Sequence, residues 1–102
     1  MAKLIAIYRQ PEDVKAFEDH YQNIHAPLAM KMPGLEKIEV TRIESDAMGQ
    51  PSEYYLLAEM YFKSQAELQS AMRSPEGKAA AKDLMGFAGK IVQMVIGETV
   101  EV

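Results

Sequence analysis

The chain has 102 residues, with 15 acidic and 11 basic side chains and a formal net charge of −4, which describes one mildly acidic domain. Cysteine is absent, so disulfides, thiolate metal sites and cysteine nucleophiles are excluded together, and a cytoplasmic reducing compartment is the expected setting. The basic residues are scattered and outnumbered, which argues against nucleic acid and against an anionic membrane surface, and the longest apolar runs fall far below the ~20 residues of a membrane span.

Lys3 to Arg9 is rich in isoleucine and stops where Gln10-Pro11 withdraws a ladder donor, which predicts a first strand. Pro11-Glu12-Asp13 reads as the first turn of a helix, with proline at its opening position and two carboxylates at the positive end of the dipole. Val14, Phe17, Tyr21, Ile24 and Leu28 recur at three- and four-residue spacing and predict the core-facing stripe. Pro27 disfavours the helical conformation at Ala26, so the helix is expected to end or kink near His25. Met32-Pro33-Gly34 is a turn, and the loose alternation from Leu35 to Ile43 predicts a half-exposed second strand.

Glu44 to Ser52, with Gly49 and Pro51, reads as a hairpin loop feeding a third strand from Glu53 to Phe62. Within it Tyr54-Tyr55-Leu56-Leu57-Ala58 is apolar on both alternating faces, so something is expected to cover each face. Ser64 with Glu67 three residues later is a capping box, and Ser74-Pro75-Glu76 restarts a helix carried on by Ala79-Ala80-Ala81, Leu84 and Phe87 and closed by Gly86 and Gly89. Ile91 to Ile96 is a last, doubly apolar strand.

The order strand, helix, strand, strand, helix, strand predicts an α+β chain, residues 1–102 forming one domain with the ferredoxin-like split βαβ arrangement (βαββαβ) and an antiparallel sheet. Helices can cover one face of such a sheet. The second apolar face of the third and fourth strands then calls for a partner, and a second copy of the chain across a two-fold axis is the economical one. A homodimer built sheet on sheet is expected.

From Phe17 to Leu35 the sequence reads F-E-D-H-Y-Q-N-I-H-A-P-L-A-M-K-M-P-G-L. With its ordered elements His20-Tyr21, His25-Ala26-Pro27-Leu28 and Pro33-Gly34-Leu35, preceded by Tyr-Arg-x-Pro at the end of the first strand, it resembles the EthD family of dimeric α+β-barrel proteins. The resemblance covers nearly the whole chain. It implies a pocket between the helices and the sheet of each subunit, and a link to ethyl tert-butyl ether degradation beside a cytochrome P450 system. Relatives of the same barrel include monooxygenases, muconolactone-type isomerases and polyketide-tailoring enzymes, and fold does not choose among those.

His25, beside the proline break, is the first candidate for acid/base chemistry, with a helix C-cap as its plainer reading. Tyr8 and His20 are the other catalytic candidates. His20 lies five positions from His25, about 140° away on an ideal helix, so the two are not expected to share a metal. Tyr21, Met30, Met60 and Glu59 are the candidate substrate-binding residues. Core packing is the favoured plainer reading of Tyr21 and the methionines, as is an ion pair with Arg9, Arg42 or a lysine across the sheet or dimer for Glu59. No phosphate loop, dinucleotide fingerprint, nucleophile elbow or metal motif is present, and no cofactor is expected.

Three functions fit these residues. One is a small cofactor-independent enzyme acting on an apolar, oxygen-bearing molecule through histidine acid/base chemistry. Another is an accessory dimer that holds a hydrophobic metabolite for a partner oxygenase. The third is haem binding through a histidine.

Overall fold

Strict alternation of small or apolar residues with longer ones makes the first strand one-sided: Ala2, Leu4, Ala6 and Tyr8 are buried while Lys3, Ile5 and Ile7 face the other way. The computed structural model describes residues 1–102. It comprises β1 (Ala2–Arg9), α1 (Val14–His20), a π-helical turn (Tyr21–His25), α2 (Ala26–Ala29), β2 (Lys37–Arg42), β3 (Tyr54–Phe62), α3 (Gln65–Arg73), α4 (Pro75–Ala88) and β4 (Val92–Glu98). The strands form one antiparallel sheet in the order β2-β3-β1-β4, with β1 central and bonded to both β3 and β4. This is the α+β, ferredoxin-like arrangement expected from the element order.

All helices lie on the face that carries Leu4, Ala6 and Tyr8 of β1 and Leu56, Ala58, Met60 and Phe62 of β3. The third strand is therefore fully covered on one side only; Leu57, Glu59 and Tyr61 on the other are half-buried. Where β1 meets β3 the register slips by one residue, from Tyr8 opposite Leu56 to Arg9 opposite Tyr54. The extra residue, Tyr55, is turned towards the helices, its ring packing edge-on against Phe17 at 5.6 Å.

Several local expectations are corrected. Asp13 is the N-cap of α1, its carboxylate accepting from the Ala16 amide at 3.0 Å, so Pro11 and Glu12 precede the helix. Val14 and Ile24 are 45% and 47% exposed, and the buried stripe is Phe17, Tyr21, His25 and Ala29. Near His25 the helix is broken as expected, but by a π turn rather than an end: the Ala26 amide donates to Tyr21 five residues earlier, and the short α2 follows directly. Pro27 supplies the reason, because in a regular α-helix its ring would press on the carbonyl four residues back, at Asn23. Widening the turn by one residue relieves that clash. The two serine caps are present, Ser64 accepting from the Glu67 amide and Ser74 from the Gly77 amide.

Candidate functional site

Between β1, β3 and β4 on one side and α2 and α4 on the other lies a partly open cavity of about 180 Å³. Met32 and Met60 form its floor, Met72, Met85 and Met94 stand around its more exposed rim, and Ala80 and Leu84 of α4 close it from above. Two polar side chains, Tyr8 and His25, interrupt this apolar lining. A larger, open groove of about 620 Å³ runs outside, past Glu12, Asp13, Phe17 and Lys90, with His20 on its wall. Its wider mouth and mixed charge make it the solvent side, against the smaller and mostly apolar cavity beside it.

Tyr8 reaches the cavity from the centre of the sheet, fixed by edge-on rings of Phe17 at 5.2 Å and Tyr21 at 5.8 Å. Its hydroxyl makes no hydrogen bond within the protein, and the residue lines the cavity. Burial drives the phenol well above the ordinary tyrosine range and keeps it a hydrogen-bond donor.

His25 approaches from the opposite wall with its side chain 10% exposed. Its Nδ1 lies 3.1 Å from Asp83 Oδ2 on α4. A carboxylate can only accept, so Nδ1 carries the proton and Nε2 keeps its lone pair. Burial pulls the imidazole below the ordinary histidine range, with the nearby Asp83 charge opposing that shift. The neutral ring with a free Nε2 is thus the resting form near neutral pH.

Asp83 is the residue of this candidate site that sequence reading missed. Its signal was available: an acid three residues after Ala80 and four before Phe87 borders the buried stripe of α4. Its second partner is His20, whose Nε2 lies 2.9 Å from Oδ1 and 3.1 Å from Oδ2. The π turn brings this about. Five residues span about 140° beyond a full turn of α-helix, but in the wider turn they come round to one side, and both rings meet a single carboxylate.

The remaining candidates sit elsewhere. Met60 lines the cavity, whereas Tyr21 packs behind Tyr8 and His25 as core, its phenol pushed up to about 12 by burial. Met30 is 67% exposed on the far side of α2. Glu59 is on the sheet face turned away from the helices, where Oε2 is 3.0 Å from Lys3 Nζ, one of the pairings expected for it. No cluster of three or more histidine or acidic side chains is arranged to hold a metal ion.

The sequence profile of the EthD domain matches residues 9–91. The chain belongs to the EthD family. Over 95 residues this EthD protein is 37% identical to an uncharacterized 11.0 kDa protein from the thcB-thcC intergenic region of Rhodococcus erythropolis, covering 93% of this chain and 91% of that one. It is 54% identical to an EthD-family protein of Bacillus halodurans known from its crystal structure, with 98% and 99% of the two chains covered and a TM-score of 0.94. A hydroxynitrile lyase from Passiflora edulis, at 14% identity, 99% and 94% coverage and a TM-score of 0.78, shares the fold alone.

Proposed function

We propose that this EthD protein catalyses proton transfer on a small, apolar, oxygen-bearing molecule, with His25 as acid/base and Tyr8 as hydrogen-bond donor. The observation that carries the reading is the pairing of His25 Nδ1 with Asp83, which leaves Nε2 as a free base facing an apolar cavity that holds one further donor. Nε2 takes a proton from a carbon next to a carbonyl of the ligand. The electron pair left behind moves onto the neighbouring ligand oxygen, where the Tyr8 hydroxyl bonds it, and Asp83 balances the imidazolium that forms. Return of the proton to another carbon, as the electron pair on oxygen re-forms the carbonyl, completes an isomerisation without a cofactor.

Cavity size narrows the ligand. At about 180 Å³ it compares with the roughly 150 Å³ apolar cavity that admits benzene, so one ring or a short branched chain fits. Ether or aromatic degradation beside a partner oxygenase is a setting in which such molecules arise. The protein acts as a homodimer in this reading, because Ile5, Ile7, Leu57 and Val95 form an apolar patch on the sheet face that no helix covers.

Deuterium uptake tests the reading. Small cyclic ketones, lactones and phenols that bind the protein are incubated with it in heavy water and followed by NMR. Enzyme-dependent exchange that falls roughly 10²–10⁴-fold in His25→Ala is the expected result. Tight binding across the panel without exchange would overturn catalysis and leave the protein as a carrier of the same molecules.

A further inference from the structure

His20 has no place in the cavity, yet it makes the closer contact with Asp83. Its Nε2 sits 2.9 Å from Oδ1 and 3.1 Å from Oδ2, while His25 Nδ1 reaches Oδ2 alone at 3.1 Å. The three side chains form a graded path from inside to outside, 10% exposed at His25, 18% at Asp83 and 30% at His20. Phe87 holds both rings, stacking on His20 at 4.3 Å and lying 5.2 Å from His25. Without His20, Asp83 would be free to swing to solvent, where Lys82 flanks the same surface.

We propose that His20 is a positioning residue, clamping both oxygens of Asp83 so that the carboxylate stays on His25 Nδ1 and transmitting its own protonation from the solvent side to that pair. The inference rests on the proton-transfer reading for its consequence in turnover, but the clamp itself belongs to the protein alone. A protonated His20 draws more of the shared carboxylate charge to itself and adds a like charge beside His25, so it weakens His25 as a base. A neutral His20 keeps its Nε2–H on Asp83 and leaves His25 better supported.

The charged and titratable groups around the pair are few. His25 faces Asp83 and His20, with Tyr8 and Tyr21 behind it. His20 faces Asp83 and Lys82 on α4, and Glu12, Asp13 and Lys90 across the outer groove. None of the last three hydrogen-bonds to His20, which leaves Asp83 as its only polar side-chain partner.

The chain has two histidines, so imidazole NMR assigns itself once one is replaced. The wild-type protein, His20→Gln, His20→Ala and Asp83→Asn are titrated without ligand, following ring carbons and the Nδ1 proton of His25. Wild-type His25 is expected to titrate in two steps, with the Nδ1 proton visible. Glutamine keeps an N–H donor that cannot ionise, so His20→Gln should retain the Nδ1 proton and reduce the curve to one step. His20→Ala should lose that proton signal. In the Asp83→Asn background, His20→Ala should have no further effect on the Nδ1 signal.

A one-step His25 curve in the wild type, or His25 unmoved in both His20 variants, would overturn the proposal. So would loss of the Nδ1 proton in His20→Gln as complete as in His20→Ala, provided both retain wild-type circular dichroism. Coupling without deuterium exchange would sink the catalytic reading and leave the clamp standing. Loss of the coupling with His25-dependent exchange retained would do the reverse.

Discussion

Lys3 Nζ lies 3.0 Å from Glu59 Oε2 across adjacent strands, on the sheet face turned away from the helices and the cavity. The same lysine stands 4.9 Å from the centre of the Tyr61 ring, so the pair is braced by an aromatic face. Glu59→Gln should therefore leave ligand affinity intact and act on the sheet. If this face is the dimer interface, the change leaves Lys3 short of a partner there and should weaken the dimer. Sedimentation across a concentration series checks it, and an unchanged dimer with abolished ligand binding would reverse the assignment.

Tyr8→Phe isolates the hydroxyl. The ring stays between Phe17 and Tyr21, so melting temperature should change little. Affinity for ketones and lactones should fall by about 0.5–1.5 kcal/mol while affinity for hydrocarbons of the same shape is retained. Turnover should drop roughly 10²-fold, as for loss of a donor to a developing oxyanion. Calorimetry with matched ligand pairs separates these outcomes.

Glu18 ties α1 to the sheet: it accepts from Arg42 at 2.8 and 2.9 Å, from the Tyr55 hydroxyl and from Gln22. The Arg42 guanidinium, more than any other partner, holds its carboxyl down at about 2. A carboxylate whose folded value is depressed contributes stability above its unfolded value, near 4.5, and loses that contribution as pH falls towards the folded one. Thermal melts should therefore fall steeply between about pH 4.5 and 2, and Glu18→Gln should be less stable at neutral pH but flatter across that window. Parallel acid limbs in the two proteins would contradict the assignment.

Gly77 sits where α3 and α4 meet end to end at the shared cap Ser74. A Cβ there would come within 2.1 Å of the Ala71 carbonyl and 3.0 Å of Met72 Cα, both backbone atoms that cannot turn aside. Gly77→Ala should cost about 1–3 kcal/mol despite alanine's better helix propensity. Because Gly77 also lines the cavity, ligand affinity should fall along with the melting temperature. A stabilised Gly77→Ala protein would show that the elbow opens freely.

The sequence by itself determined the elements and their order, because those rest on local chemistry. Ser64 and Ser74 mark helix starts through their own hydroxyls, Gly34 takes a positive φ of 81° at the predicted turn, and the βαββαβ order leaves few ways to close a sheet. Family membership was legible for the same reason, in a run of residues from Phe17 to Leu35. Tyr8, His25 and Met60 were recognisable as site candidates because residue type and strand or helix position suffice to place them. Tertiary structure decided the rest. Periodicity assumes 3.6 residues per turn, so it assigned Ile24 to the core and separated His20 from His25, whereas the π turn at the break that Pro27 signalled brings both imidazoles onto one side. Asp83, 58 residues beyond His25, meets it only because α4 packs across that turn. No local pattern records a contact made by folding two distant segments together, and the shared carboxylate is such a contact.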